Sequence, residues 1–165
     1  MFELTWAKNG TPDTLTSNSD TLTISDLTAT KFNSILTHEL ASGNIDNVQW
    51  TFNNNTNSVY AYRTSKNGSA EVASTSQSYI LYNIGDGAWD RLYVGYIISI
   101  SSEEKLVIAH GVGQNSAGAG NAPDRIEGVG KFVPSPDADI TRIDDTQAGT
   151  GDFTSDSNLS ALGTD

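Results

Sequence analysis

The chain has 165 residues, of which 18% are charged and none is cysteine, and its formal net charge at pH 7 is −11. That length suits one domain with a substantial core, and the missing thiols exclude disulfides, iron–sulfur clusters, thiolate zinc sites and cysteine nucleophiles. Twenty acids face nine bases with no Lys/Arg cluster, which excludes the basic footprint that direct nucleic-acid binding needs, and no apolar run of about eighteen residues is present to cross a membrane as a helix.

Threonine, serine and asparagine number 18, 19 and 14, so 51 of 165 residues are small and polar. These side chains compete with the helical backbone for hydrogen bonds, whereas Thr suits strands and Asn, Ser and Gly suit turns. The composition therefore predicts an all-β chain.

In chain order, Phe2, Leu4 and Trp6 alternate with Glu3 and Thr5, the pattern of a half-buried strand. No basic stretch leads into an apolar one here, so no export signal is expected, and the initial Met argues against a leader already removed. A turn at Asn9-Gly10-Thr11-Pro12 precedes a second alternation, Leu22 and Ile24 between Thr21, Thr23 and Ser25. Residues 28–41 are ambiguous. Phe32, Ile35, Leu36 and Leu40 fit a helical face, Phe32, Leu36, His38 and Leu40 fit period two, and the poor helix formers Asn33, Ser34 and Thr37 favour the strand. Val48, Trp50 and Phe52 alternate next, before the turn Asn53-Asn54-Asn55.

A strand over 59–64 places Tyr60 and Tyr62 on one face, and Lys66-Asn67-Gly68 signals the turn after it. Another strand is expected over 77–84, followed by the turn Gly85-Asp86-Gly87. Residues 92–100 carry Leu92, Val94, Tyr96, Ile98 and Ile100 on one face and Tyr93 and Ile97 on the other, which predicts a central strand covered on both sides. Ser101-Ser102-Glu103-Glu104 then turns the chain into 105–112, where Leu106, Ile108, His110 and Val112 share a face, so the two segments form an antiparallel hairpin. Strands are also expected over 125–132 and 139–143, separated by Pro134-Ser135-Pro136. From Pro134 onward seven Asp face one base, Arg142, and Phe153, Leu159 and Leu162 stud the Gly/Asp/Ser/Thr-rich tail. The fold predicted is an all-β antiparallel sandwich of about eight to ten strands, a single domain over 1–165 that ends in a docked but irregular acidic segment at about 146–165.

Catalytic motifs are missing where they would be sought. Gly111–Gly120 lacks the Gly-Lys-Ser/Thr that opens a phosphate-binding helix and reads as a long hairpin loop. His38 and His110 have no third ligand and are expected to be packed or hydrogen-bonded in strands. No Gly-x-Ser-x-Gly elbow is present. Glu103-Glu104 and Asp144-Asp145 read as solvated charge, because strand neighbours point to opposite faces. Asp152 to Asn158 lacks the central Gly and terminal Glu of a calcium loop. No enzyme activity, metal or cofactor is therefore expected. The aromatics mostly suit a core, and Tyr60 and Tyr62 are the candidate ligand-stacking pair, should both face solvent.

Three stretches carry a resemblance. They run from Asp20-Thr-Leu-Thr-Ile-Ser-Asp-Leu to Leu40, from Glu103-Glu-Lys-Leu-Val-Ile to Val129-Gly-Lys-Phe132, and over the ending, Thr150-Gly-Asp-Phe to Asp165, 67 of the 165 residues. They resemble uncharacterised structural (capsid or virion) proteins of environmental, mainly marine, viruses. The resemblance implies a jelly-roll-like sandwich in a virion structural role, as a capsid, capsid-decoration or fibre subunit, and it names no functional residue. The partners it implies are further copies of the chain, in a homo-oligomer or lattice, and other virion proteins. Such a chain would be made in the host cytoplasm and released with the virion. The alternative is a lectin-like carbohydrate-binding module that recognises a cell-surface glycan.

Overall fold

Fifteen strands and no helix make up the described residues, 5–85, 87–135 and 138–165, of the computed structural model. The strands are β1 (Ala7–Lys8), β2 (Asp13–Thr14), β3 (Thr21–Ile24), β4 (Phe32–Glu39), β5 (Ala41–Ser42), β6 (Gln49–Phe52), β7 (Tyr60–Lys66) and β8 (Val72–Gln77), then β9 (Ile80–Leu81), β10 (Arg91–Ile98), β11 (Lys105–Gly113), β12 (Asp124–Phe132), β13 (Ile143–Thr146), β14 (Asp152–Phe153) and β15 (Asn158–Thr164). Ten of them are four residues or longer, and the other five are two-residue pairings. All pairings are antiparallel. One sheet has the order β1-β15-β4-β10-β11-β12-β7-β8 with β2 added beside β15, a second has the order β3-β13-β6-β9, and β14 pairs with β5.

The two larger sheets stack as a sandwich over a core of aromatics and branched aliphatics. Leu22, Ile24, Trp50 and Phe52 enter it from the small sheet, with Val48 just before β6, as their alternation predicts; Ile143 joins them from β13, and Ile35, Tyr93, Ile97, Val107, Ile126 and Phe132 enter from the large sheet. Trp50 lies 4.2 Å from the Tyr82 ring, centroid to centroid, and Tyr82 meets Tyr93 edge-on at 4.6 Å. Glycines in the large sheet make room for these rings. A Cβ at Gly95 would come within 2.6 Å of the Trp50 indole, and one at Gly111 within 2.1 Å of the Tyr93 ring.

Several local expectations need correcting. The 92–100 segment is central, with β4 on one side and β11 on the other, but only its Tyr93/Ile97 face is covered. The hairpin of β10 and β11 has the expected antiparallel register, Arg91↔Gly113 through Ile98↔Leu106. Residues 28–41 contain strand β4, yet its inner face is Ile35, Thr37 and Glu39, while Leu36 and His38 point outward. Of 77–84 only Gln77, the last residue of β8, and Ile80–Leu81 are strand, and 139–143 gives way to a strand that starts at Ile143. The C-terminal segment is docked, with Phe153 and Leu159 buried, but it is not irregular: Asn158–Thr164 runs between β1 and β4. Met1 to Leu4, Asp86, and Pro136 with Asp137 lie outside the described residues, so the alternation proposed for Phe2 and Leu4 is not placed.

Candidate functional site

The register of the large sheet sorts its side chains into two faces. On the outer face, Ser34, Tyr96, Ile108, Val129 and Arg63 lie side by side across β4, β10, β11, β12 and β7. The next row holds Leu36, Val94, His110 and Glu127, and the row beyond it His38, Leu92, Val112 and Arg125. Leu36, Leu92, Tyr96, Leu106, Ile108, Val112 and Val129 are 38–53% exposed. Isolated surface apolar residues are ordinary, but seven on four adjacent strands form one continuous patch.

The patch exists because β11 and β12 put their small residues inward. Ala109, Gly111, Gly128 and Gly130 face the core, where the Tyr93 ring at Gly111 and the Ile80 side chain at Gly130 occupy the space a larger residue would need. The bulky residues that alternate with them are left in solvent. One side of the patch deepens into a groove of about 730 Å³ between β11 and β8, lined by Leu106, Ile108, Val129, Arg63 and Ala73. A register shift between Tyr60 and Tyr62 breaks the regular pairing of β7 with β8 along that side.

Charge on this face is balanced locally. Arg63 pairs with Glu71, Arg125 with Glu127 at 3.4 Å, and Lys131 with Glu104 at 2.9 Å. Exposed pairs of this kind add little stability, but in them three cations beside the patch cancel three of the acids there, in a chain that carries −11. His38 and His110, expected to be packed or hydrogen-bonded in strands, do lie on strands β4 and β11 but stand exposed among these residues.

Tyr60 and Tyr62 do not form a solvent-facing platform. They are 1% and 8% exposed and point into the sandwich, with Tyr60 stacked on Phe132 at 4.8 Å and donating its hydroxyl to the Asn55 carbonyl at 2.9 Å. Burial pushes the Tyr60 phenol up to about 12. The carbohydrate-binding alternative thus loses its stacking pair.

The acid pairs also separate differently than expected. Glu103 and Glu104 are in an exposed turn, whereas Asp144 and Asp145 are both buried. Asp144 is held by Arg142 at 2.6 Å and by the Thr23 hydroxyl at 2.6 Å. Asp145 projects from β13 into the core and meets Glu39 of β4 there. The Tyr82 hydroxyl sits between the two carboxyls, 2.8 Å from Glu39 Oε1 and 2.5 Å from Asp145 Oδ1. The Arg91 guanidinium is 3.8 Å from Glu39 Oε2 and donates to the carbonyls of Ile45 and Gly87. Burial raises the Glu39 carboxyl to about 7 against the opposing pull of Arg91, and burial together with the neighbouring Glu39 charge raises Asp145 well above the usual carboxylate range. Sequence reasoning missed this cluster because an Asp-Asp pair on a strand gives no sign of which residue faces inward. No group of three or more metal-ligating side chains occurs among the described residues.

No protein-family model, curated protein or solved structure matches this chain.

Proposed function

We propose that this chain is a non-enzymatic structural subunit, of a virion capsid, capsid decoration or fibre, that assembles by packing the outer face of its large sheet against the same face of a second copy. The observation that carries this reading is the exposed apolar patch on β4, β10, β11 and β12. Four strands spaced about 4.8 Å apart and eight residues long at about 3.4 Å each present a face roughly 19 by 27 Å, or ~520 Å² in plan, which the groove beside β7 widens. A standard interface buries about 800 Å² per partner, so the face and its rim approach the required size.

Charge argues for a second copy as the occupant. Two chains of −11 repel each other wherever their acidic surfaces meet, and contact is least costly through a patch whose flanking cations each cancel an acid. Face-to-face packing of antiparallel sheets is a standard solution for such surfaces. The terminal strand β8 adds an edge for lateral growth. The resemblance of the 20–40, 103–132 and 150–165 stretches supports the virion setting, and with it the jelly-roll kinship and release in particles. Light scattering and electron microscopy of the purified protein over a concentration series test the proposal. Dimers or larger particles that grow with concentration are expected, and a monomer at every concentration would contradict it.

A further inference from the structure

Hydrogen counting at the Glu39–Tyr82–Asp145 cluster leads beyond assembly. Tyr82 has one hydroxyl hydrogen and two carboxyl oxygens within hydrogen-bond distance, at 2.8 and 2.5 Å. A phenol donates once, and an ionised carboxylate only accepts. With both acids ionised, one of these contacts would press two lone pairs together with no hydrogen between them. The shorter contact instead has the length of a charge-assisted O–H···O⁻ bond. The geometry is satisfied when one carboxyl keeps its proton, so that a single chain of hydrogen bonds runs from one acid through Tyr82 to the other.

Charge leads to the same count. The groups facing the cluster are Arg91 and Tyr93 from β10, Tyr82 from the segment after β9, and, farther off, Asp124 of β12, which Lys66 pairs at 2.8 Å. Arg91 offsets one carboxylate and leaves the second uncompensated in the core. Glu39 Oε2 and Asp145 Oδ2 have no hydrogen-bond partner among the described residues; Arg91 lies 3.8 Å from the first, and the Thr37 hydroxyl near Asp145 is neutral, so a second negative charge there has no cation to offset it.

We propose that the folded protein holds one proton between Glu39 and Asp145 and that this proton is a pH-sensitive clasp joining the large sheet, through β4, to the small sheet, through β13. Losing it places two carboxylates against one guanidinium at the contact between the sheets and loosens the sandwich. The direction follows from linkage. The unfolded chain releases this proton near the ordinary carboxylate range, around pH 4.5, and the folded chain near pH 7. Between the two the folded state binds the extra proton, so stability is full below the first value and falls as pH rises through the second. Asp124 and Asp26 shift the opposite way, burial at Asp124 being outweighed by Lys66 and Asn67, and backbone and hydroxyl bonds from Thr11 lowering Asp26. They act below about pH 4, outside that window.

Chemical unfolding from pH 5 to pH 8 tests the clasp. One retained proton raises the unfolding equilibrium constant by up to about tenfold per pH unit below pH 7. Glu39→Gln and Asp145→Asn each supply an N–H where the proton sat, and each should remove that rise. A rise that is unchanged in both variants, or that calcium alone abolishes, would overturn the proposal. Carboxyl carbon NMR of the unmodified protein gives a readout even if the variants do not fold. One of the two resonances should stay protonated at pH 6, and two ionised resonances there would also overturn it.

Discussion

Trp50 sets the depth of the sandwich above β10. Its indole rests where Gly95 has no side chain, 4.2 Å from the Tyr82 ring, and is wholly buried. Trp50→Ala should cost about 3–5 kcal/mol, the usual range for deleting a large aromatic from a core, read as a lower urea midpoint at unchanged slope. Gly95→Leu should be similarly damaging from the opposite sheet, since its Cβ alone would come within 2.6 Å of the indole. Trp50 was legible in the sequence because Val48, Trp50 and Phe52 alternate. Gly95 was not, because a glycine within a strand gives no sign of which ring it accommodates. Asp145 was misread for a related reason. Its burial depends on Glu39 and Tyr82, which are distant in the chain and meet only after the sheets stack.

At the scale of elements, β11 shows what periodicity leaves open. The alternation of Leu106, Ile108, His110 and Val112 defines two faces correctly, but the face turned to the core is Val107, Ala109 and Gly111. The choice is made by ring volume in the facing elements, which no local window of sequence contains. β15 was hidden in the same way. Its inward residues shrink from Leu159 to Ala161 to Gly163, too weak an alternation to stand out from a polar tail, although they fill the place beside β4. The turn after β7 was plain, by contrast, because Asn67-Gly68 suits a tight turn, although the polar strand β8 that follows it was not expected. Both residues adopt left-handed backbone angles, φ 54° and 72°. Gly68→Val should cost about 1–2 kcal/mol for holding a branched residue in that region, measurable as a lower melting temperature. Because the turn lies outside the apolar patch, assembly of the molecules that remain folded should be unaffected.

For the whole molecule, a net charge of −11 accompanies an apolar sheet face whose flanking cations are each paired with an acid. Net charge opposes contact between copies and the patch favours it, so the balance depends on ionic strength. Salt at about 0.1 M shortens the Debye length to about 10 Å and screens the net charge more than it weakens the apolar contact. Association should therefore tighten as salt rises, the reverse of what a partner held by charge would show, and titration calorimetry at several salt concentrations would read the trend. The measurement that bears most directly on the central claim is sedimentation velocity of the protein beside two variants. Tyr96→Lys combined with Ile108→Glu places charges in the middle of the patch, while Thr51→Glu alters the outer face of the small sheet. The unmodified chain and Thr51→Glu should associate with rising concentration, and the double variant should stay a monomer with its β-sheet circular dichroism intact. A folded double variant that associates as strongly as the unmodified chain would contradict that claim.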